Sequence, residues 1–395
     1  GLGMFLMREI MDEVTYRNLG RDGKEVQLVK YFKHQLREDL FEKGDRGGFR
    51  SLLRGRKRPG YEVRMFEPDD ALEVTRCAYL MHGYTFYDDE VYYPETLVEL
   101  HKSGKMIAAV AVTPDGEVAL FNALIRREAG SPTAEMTFVL VNPTIRAPGA
   151  LEKVGWFLMD SQRNWLKGVT SAVAASHTLT QSVMAKHGFI PCAIYICADA
   201  ADWKFHFLNN QNQSGDPISN VSFFMFLEQP SPQILYPPLR HREMIGKIYE
   251  WLGVNPQFAE PENVCDSGSF CPHAQLETQI LQSEKSACFT VMEYGQDLAR
   301  HIQGFVRECR NKDIRFMELR LPLNQPGTFS HTKEMERLGF FFSGILPMGK
   351  HGDYLLLQMP SEWDINYEAI KVGSEQGQFL LEYVRECERQ RHADN

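Results

Sequence analysis

Positive charge is in short supply in this chain. Its 395 residues hold 43 Lys and Arg against 52 Asp and Glu, a formal net charge of −9. Nucleic-acid affinity rests on clustered cations that displace counterions from phosphates, so this balance argues against a nucleic-acid partner. The one basic run, "RSLLRGRKRPG" at 50–60, reads as a solvated connector. Paired cysteines are lacking as well, since the eight present follow no repeated spacing. "CDSGSFCPH" brings Cys265, Cys271 and His273 together, but the second downstream pair that zinc sites favour is missing. No metal is expected, and the thiols read as reduced and structural. No apolar run is long enough to span a bilayer, and the first residues lack the charged-then-apolar layout of a signal peptide. A cytoplasmic protein without a membrane partner is expected.

What is present is an ordinary globular composition, 43% hydrophobic and 24% charged, on a chain long enough for two or three folded units. Residues 5–14 carry Phe5, Leu6, Ile10 and Val14 at helical spacing, and a turn then leads to the strand "VQLVKYF". Residues 33–60 are charged and unpatterned and read as a linker. From 61 the pattern is regularly α/β: strand "YEVRMFE", then a helix opened by Pro68 and two aspartates, which suit the positive end of a helix. An aromatic, acidic loop follows, then the strands "KMIAAVAVTP", "EVALFNALIR" and "AEMTFVLVNP". A long helix, strand "VTSAVAA", helix "TLTQSVMAKHGF", two further strands and a helix at 240–252 complete a unit spanning 61–255.

Chemistry concentrates where the strand "TFVLVNP" ends and the helix "ALEKVGWFLM" begins. A helix start exposes unpaired N–H groups and the positive end of the macrodipole, a natural seat for a diphosphate. Gly149 allows close backbone approach, Arg146 offers a cation, and Pro148 pre-sets a helical dihedral.

The order of elements around "IRAPGAL" and "MAKHGF" resembles the GCN5-related N-acetyltransferase superfamily over most of 61–255. The resemblance implies an α/β fold of the α+β kind, with a mixed, mostly antiparallel sheet flanked by helices. It also implies acetyl-coenzyme A as cofactor. The backbone of Arg146, Ala147, Pro148, Gly149, Ala150 and Leu151 would hold the diphosphate, and Val139 and Val141 would pair with the pantetheine arm. A small-molecule or protein amine would be the acceptor. Glu135, at the head of the strand, is then the candidate base. Tyr84, Tyr87, Asp88 and Asp89 in "GYTFYDDEVYYPE" would meet a cationic amine through ring faces and carboxylates. Three positions depart from the superfamily pattern: Leu151 stands where it has Gly or Ala, and His177 and Met184 stand where many members have Asn and Tyr. His177 is a candidate acid or base, whereas Met184 cannot protonate a thiolate. Binding without turnover, as a coenzyme A-sensing module, is therefore a rival expectation.

Past a patternless linker at 256–284, strands and helices recur in abbreviated form over 285–362, before a charged helical segment at 363–395. This reads as a degenerate second copy of the first unit, with its phosphate-loop counterpart at "LRLPLNQPGTFSH". The opening "GLGMFLMREIMDEV", with the segment after it to residue 32, resembles the end of an anti-sigma-factor-type ATPase domain of the histidine-kinase-like class. That resemblance implies a fragment or reduced descendant of a longer bacterial protein. The exposed apolar face of the opening helix would pack on the later domains or on a second chain, as in a homodimer, or on an ATPase-like partner domain.

Overall fold

A computed structural model describes residues 10–11, 13–18, 24–29, 60–83, 86, 88–127, 130–145, 147–199, 217–260, 270–281, 284–361 and 365–393. The chain divides into two compact units, 1–57 and 58–395. In the first, β1 (Glu13–Asn18) and β2 (Lys24–Val29) form an antiparallel hairpin. The helix expected over 5–14 therefore gives way to a strand at Glu13, where "EVTYRN" supplies β-branched and aromatic residues. Residues 1–9 and most of the 33–60 linker lie outside the described set.

The second unit is built on one continuous sheet of twelve strands. Its first seven are β3 (Glu62–Met65), β4 (Met106–Val112), β5 (Val118–Ile125), β6 (Thr133–Val141), β7 (Gly168–Ala174), β8 (Ile190–Asp199) and β9 (Ile218–Phe226). They lie in the order β3-β4-β5-β6-β7-β9-β8. Helices α1 (Ala71–His82) and α2 (Pro94–Lys102) follow β3, α3 (Ala150–Ser161) joins β6 to β7, and α4 (Leu179–Lys186) joins β7 to β8. A short parallel pair, β10 (Ile234–Leu235) and β11 (Gln257–Phe258), flanks α5 (Arg242–Trp251).

The remaining strands are β12 (Gln275–Leu281), β13 (Ser286–Glu293), β14 (Phe316–Pro322), β15 (Phe341–Gly349) and β16 (Gly352–Pro360). Helix α6 (Leu298–Asn311) joins β13 to β14, α7 (Gly327–Arg337) joins β14 to β15, and α8 (Glu375–Ala393) closes the chain. Their order, β12-β13-β14-β16-β15, traces the path of β5-β6-β7-β9-β8, and β13/β14 is parallel just as β6/β7 is. This correspondence corrects the expected junction. The counterpart of the β6–α3 turn is Tyr294–Leu298, between β13 and α6, not the 319–331 stretch. Strand β12 occupies 275–281, inside the stretch that reads as a linker, because Gln275, Glu277 and Gln279 alternate with Leu276, Thr278 and Ile280.

Alternation assigns the central strands to two cores. Leu120, Leu124, Ala134 and Met136 face α3, with Val154 and Leu158. Phe121, Ala123, Phe138 and Leu140 face α1, with Val74, Cys77 and Ala78. Strand β5 is buried at every position, which explains its unbroken apolar run around Asn122.

A third core ties the halves together: Ile194 and Ile196 of β8 pack with Phe341, Phe342, Leu380 and Val384. Each such side chain contributes about 1.5–3 kcal/mol through burial. At this seam β8 and β15 share one ladder pair, Gly344 with Ala193. A Cβ on Gly344 would lie 2.1 Å from the Cys192 carbonyl oxygen, so glycine is required by close approach. Where the strands part, the fully buried Gln358 of β16 substitutes for the ladder. Its Oε1 accepts from the Ile196 N–H at 2.8 Å, and its Nε2 donates to the Ile194 carbonyl at 2.9 Å.

Candidate functional site

Strands β6 and β7 pair over Thr133–Glu135 and Gly168–Thr170 and then separate. The separation originates in β6. Between Thr137 and Leu140, two residues, Phe138 and Val139, oppose the single residue Asn122 of β5, and Phe138 takes φ 54°. Such a bulge bends the strand that carries it. Just past the last pair, Ser171 Oγ donates to the Met136 carbonyl at 3.0 Å. Beyond this brace lies a cavity of about 330 Å³, lined by Met136 to Val139, Val141 and Ser171 to Ala174. Pro143, Leu151, His177, Leu179 and Thr180 line it near the α3 and α4 starts, and Met81 and His82 of α1 line it with Phe86 beyond that helix.

The start of α3 is an open turn without a side-chain cap. Gly149 sits at the helix N-cap with φ 75° and brings no side chain to cap the first turn. The Ala150 N–H turns back to the Ala147 carbonyl at 3.2 Å, and the amides after it have no side-chain cap. A Cβ there would meet only the Tyr61 hydroxyl within 4 Å, at 3.8 Å, so the backbone is open to close approach. Tyr61 Oη donates to the Pro148 carbonyl at 2.9 Å, which fixes the turn. Asn142 fixes its other end, its Oδ1 accepting from the Thr144 N–H at 3.0 Å. Two features oppose an anion: the Glu152 carboxylate in the first turn, and the side chain of Leu151 at the cavity rim.

The expected site residues fall into three groups. Val139, Val141, Leu151 and His177 gather around the cavity, and Ala147, Pro148, Gly149 and Ala150 form the adjoining turn. Arg146, Tyr84 and Tyr87 lie outside the described residues. Glu135 does not line the cavity, and its Oε2 accepts from Arg127 Nε at 2.6 Å. Arg127 also stands 3.7 Å from Asp88, whose carboxyl is pushed up by burial. Asp88 caps the short turn Asp89–Tyr92, accepting from the Glu90 N–H at 3.1 Å, so Asp89 belongs to that turn.

Further carboxylates share this neighbourhood. Burial pushes Asp199, at the end of β8, up to about 6 while Asn220 Nδ2 donates to it at 2.7 Å. Burial also raises Glu284 of the second half, which feels the charges of Arg127, Asp199 and Asp88. At the cavity, burial lowers His177, which favours the neutral imidazole. Met184 is buried in the core beneath α3 and does not line the cavity.

Sequence reasoning missed Met81, His82, Phe86 and Ser171. Met81 Sδ accepts the Val141 N–H at 2.8 Å, and His82 is 1% exposed with its ring 4.8 Å from that of Phe86. These three residues lie at the end of α1 or just beyond it and meet the cleft only once α1 packs on β6, so no local motif marks them.

No family model matches the chain, and no curated protein sequence does. Solved structures do show likeness. A putative acetyltransferase from Acinetobacter baylyi is 17% identical, with a TM-score of 0.36 over 44% of this chain and 96% of its own. A putative acetyltransferase from Salmonella typhimurium, solved with acetyl-CoA, is 13% identical at a TM-score of 0.36, over 44% and 96% of the two chains. A phosphinothricin acetyltransferase of the GNAT superfamily from Sinorhizobium meliloti, in complex with acetyl-CoA, is 12% identical at a TM-score of 0.36, over 44% and 94%.

Proposed function

We propose that residues 61–255 bind acyl-coenzyme A, acetyl-coenzyme A in the simplest case, and pass the acyl group to an amine. The observation that carries this reading is the cavity between β6 and β7 running up to the uncapped start of α3. The residues present fit the cofactor: an open turn at Gly149 for the diphosphate, and parted strands for an extended arm. Bound coenzyme A would supply an activated thioester carbonyl.

The chain's own groups have definable tasks. The N–H groups of Ala147, Gly149 and Leu151 hold negative charge, with Arg146 as the added cation. Val139 and Val141 offer strand backbone to the arm, and the Val141 N–H becomes a donor for the carbonyl oxygen once Met81 moves off it. Glu135 is the base through a water, in which case Arg127 must release it; His177, whose neutral imidazole burial favours, would serve as a second base rather than as the acid. The carboxylates Asp88, Asp89, Asp199 and Glu284, with Tyr84 and Tyr87, would draw a cationic amine. The second half, 285–362, acts as a degenerate copy without a cofactor of its own.

A rival reading has specific support. Glu135 is engaged by Arg127 and Met184 is buried, which suits a sensor that binds acyl-coenzyme A without turnover. Calorimetric titration with acetyl-coenzyme A, beside Arg146→Glu, tests binding, with micromolar affinity lost in the variant as the expected result. Thiol release across a panel of amines then separates enzyme from sensor. Release that no amine accelerates, on a protein that binds the cofactor, sinks the enzyme reading.

A further inference from the structure

The turn between β7 and α4 forms one wall of the cavity, through His177, Leu179 and Thr180. It is held from the other half of the molecule. Residues 370–373, a short strap that leads into α8, lie against it. The Lys371 N–H donates to the Ala175 carbonyl at 2.6 Å, one residue past the end of β7. Gly373 comes so close that a Cβ there would lie 3.2 Å from Thr178 Cβ. Ile370 and Val372 pack on both the α3-side core and the third core, so the strap belongs to both halves.

Gln181 makes this connection specific. It lies in the first turn of α4 and is 3% exposed. Its Nε2 donates to the His177 carbonyl at 3.0 Å and to the Lys371 carbonyl at 2.7 Å. Its Oε1 accepts the Gly373 N–H at 3.0 Å. Three backbone groups from two distant segments therefore meet on one buried amide. A carboxylate in its place could still accept from Gly373, but it would face two carbonyl oxygens with nothing to donate. Gln358 ties the halves at the seam by the same means.

We propose that Gln181 is a positioning residue through which the second half sets one wall of the cofactor cavity. This rests on the reading that the cavity holds an acyl-coenzyme A. Gln181, Lys371 and Gly373 do not line the cavity, so they act through the turn that carries His177. Such coupling is reciprocal: a strap that favours the bound form of the turn is itself held more firmly when ligand binds. The degenerate half then has a task that needs no cofactor of its own.

Hydrogen exchange of the intact chain, with and without saturating coenzyme A, tests the proposal. Coenzyme A should slow exchange at Lys371 and Gly373 as well as in the first turn of α4. A glutamine that served stability alone would leave those two amides indifferent to the ligand. Gln181→Glu should weaken coenzyme A binding about tenfold by calorimetry, a common size for coupling between sites. The wild-type exchange comparison decides the matter by itself if that variant does not fold. Unchanged exchange at Lys371 and Gly373, on a protein that binds coenzyme A, overturns the inference and leaves the binding reading standing. Wild-type affinity in a folded Gln181→Glu chain does the same. Failure of coenzyme A to bind the wild type overturns both.

Discussion

Two strand pairs of the same topology end in opposite ways. In the first half, β6 and β7 pair over three residues and part around a cavity; in the second, β13 and β14 pair over five, Ser286–Thr290 with Phe316–Arg320. The helix starts differ in the same sense. Neither helix has a side-chain cap, but the N-cap of α3 is Gly149 whereas that of α6 is Asp297, whose carboxylate is engaged elsewhere. Its Oδ2 lies 2.8 Å from His273 Nδ1, and its Oδ1 accepts the Ala274 N–H at 2.7 Å. An anion would meet a carboxylate there. The proposed capacity to bind would therefore not come with the strand order: it would rest on one bulge and one glycine.

The sharpest break would be at the seam that makes both halves one body. Gly344→Val should abolish soluble folded protein, because no rotamer avoids the Cys192 carbonyl. A cooperative melt for this variant at the wild-type temperature would mean that the halves do not depend on each other.

Next in size, Gly149→Asp should weaken coenzyme A binding about a hundredfold by placing a carboxylate at the proposed diphosphate seat, and the left-handed φ of 75° should lower the melting temperature modestly. Unaltered affinity by calorimetry would move the site elsewhere. A smaller effect is expected from pH. Asp199 in the first half is pushed up from 3.8 to about 6 by burial, and Asp353 in the second is raised for the same reason. The folded protein then holds protons that the unfolded chain has released. Stability is highest below about pH 4 as far as these groups are concerned, and falls as pH rises toward 6. Asp199→Asn should flatten part of that slope in urea titrations. A slope unchanged by the substitution would show that Asp199 ionises normally.

The smallest effect should come from Asp297→Ala, which removes an acceptor from a backbone N–H at a partly exposed site and should lower stability only slightly. Coenzyme A should bind this variant as it binds the wild type. Creation of a second binding event would show that the acid alone had blanked the second half.

Much of this comparison was legible in the residues. The alternating strands from 106 to 141, the helix after Gly149 and the Gly188-Phe189 helix end follow from periodicity and turn chemistry. The bulge did not, since Phe138 is a bulky residue at positive φ held there by its neighbours, and nothing local marks it. Helix α2 was hidden because the aromatic, acidic loop runs into it without a change of composition, apart from Pro94 at its first position. The ion pair between Arg127 and Glu135 joins the two ends of a β5–β6 connection, and only the register brings them together. The second half's junction was misplaced because abbreviated elements lack a glycine-rich landmark, and only strand adjacency identifies Tyr294–Leu298.

The seam has a consequence for self-association. A sheet ending at β8 would offer a long row of unpaired N–H and C=O groups, the template on which other chains can add. Joining β15 to β8 hides two such rows at once. The outermost strands of the merged sheet are poor templates: β3 is four residues long, and β12 turns Gln275, Glu277 and Gln279 to solvent. A chain that doubles its sheet in this way gains strands without gaining adhesive margins.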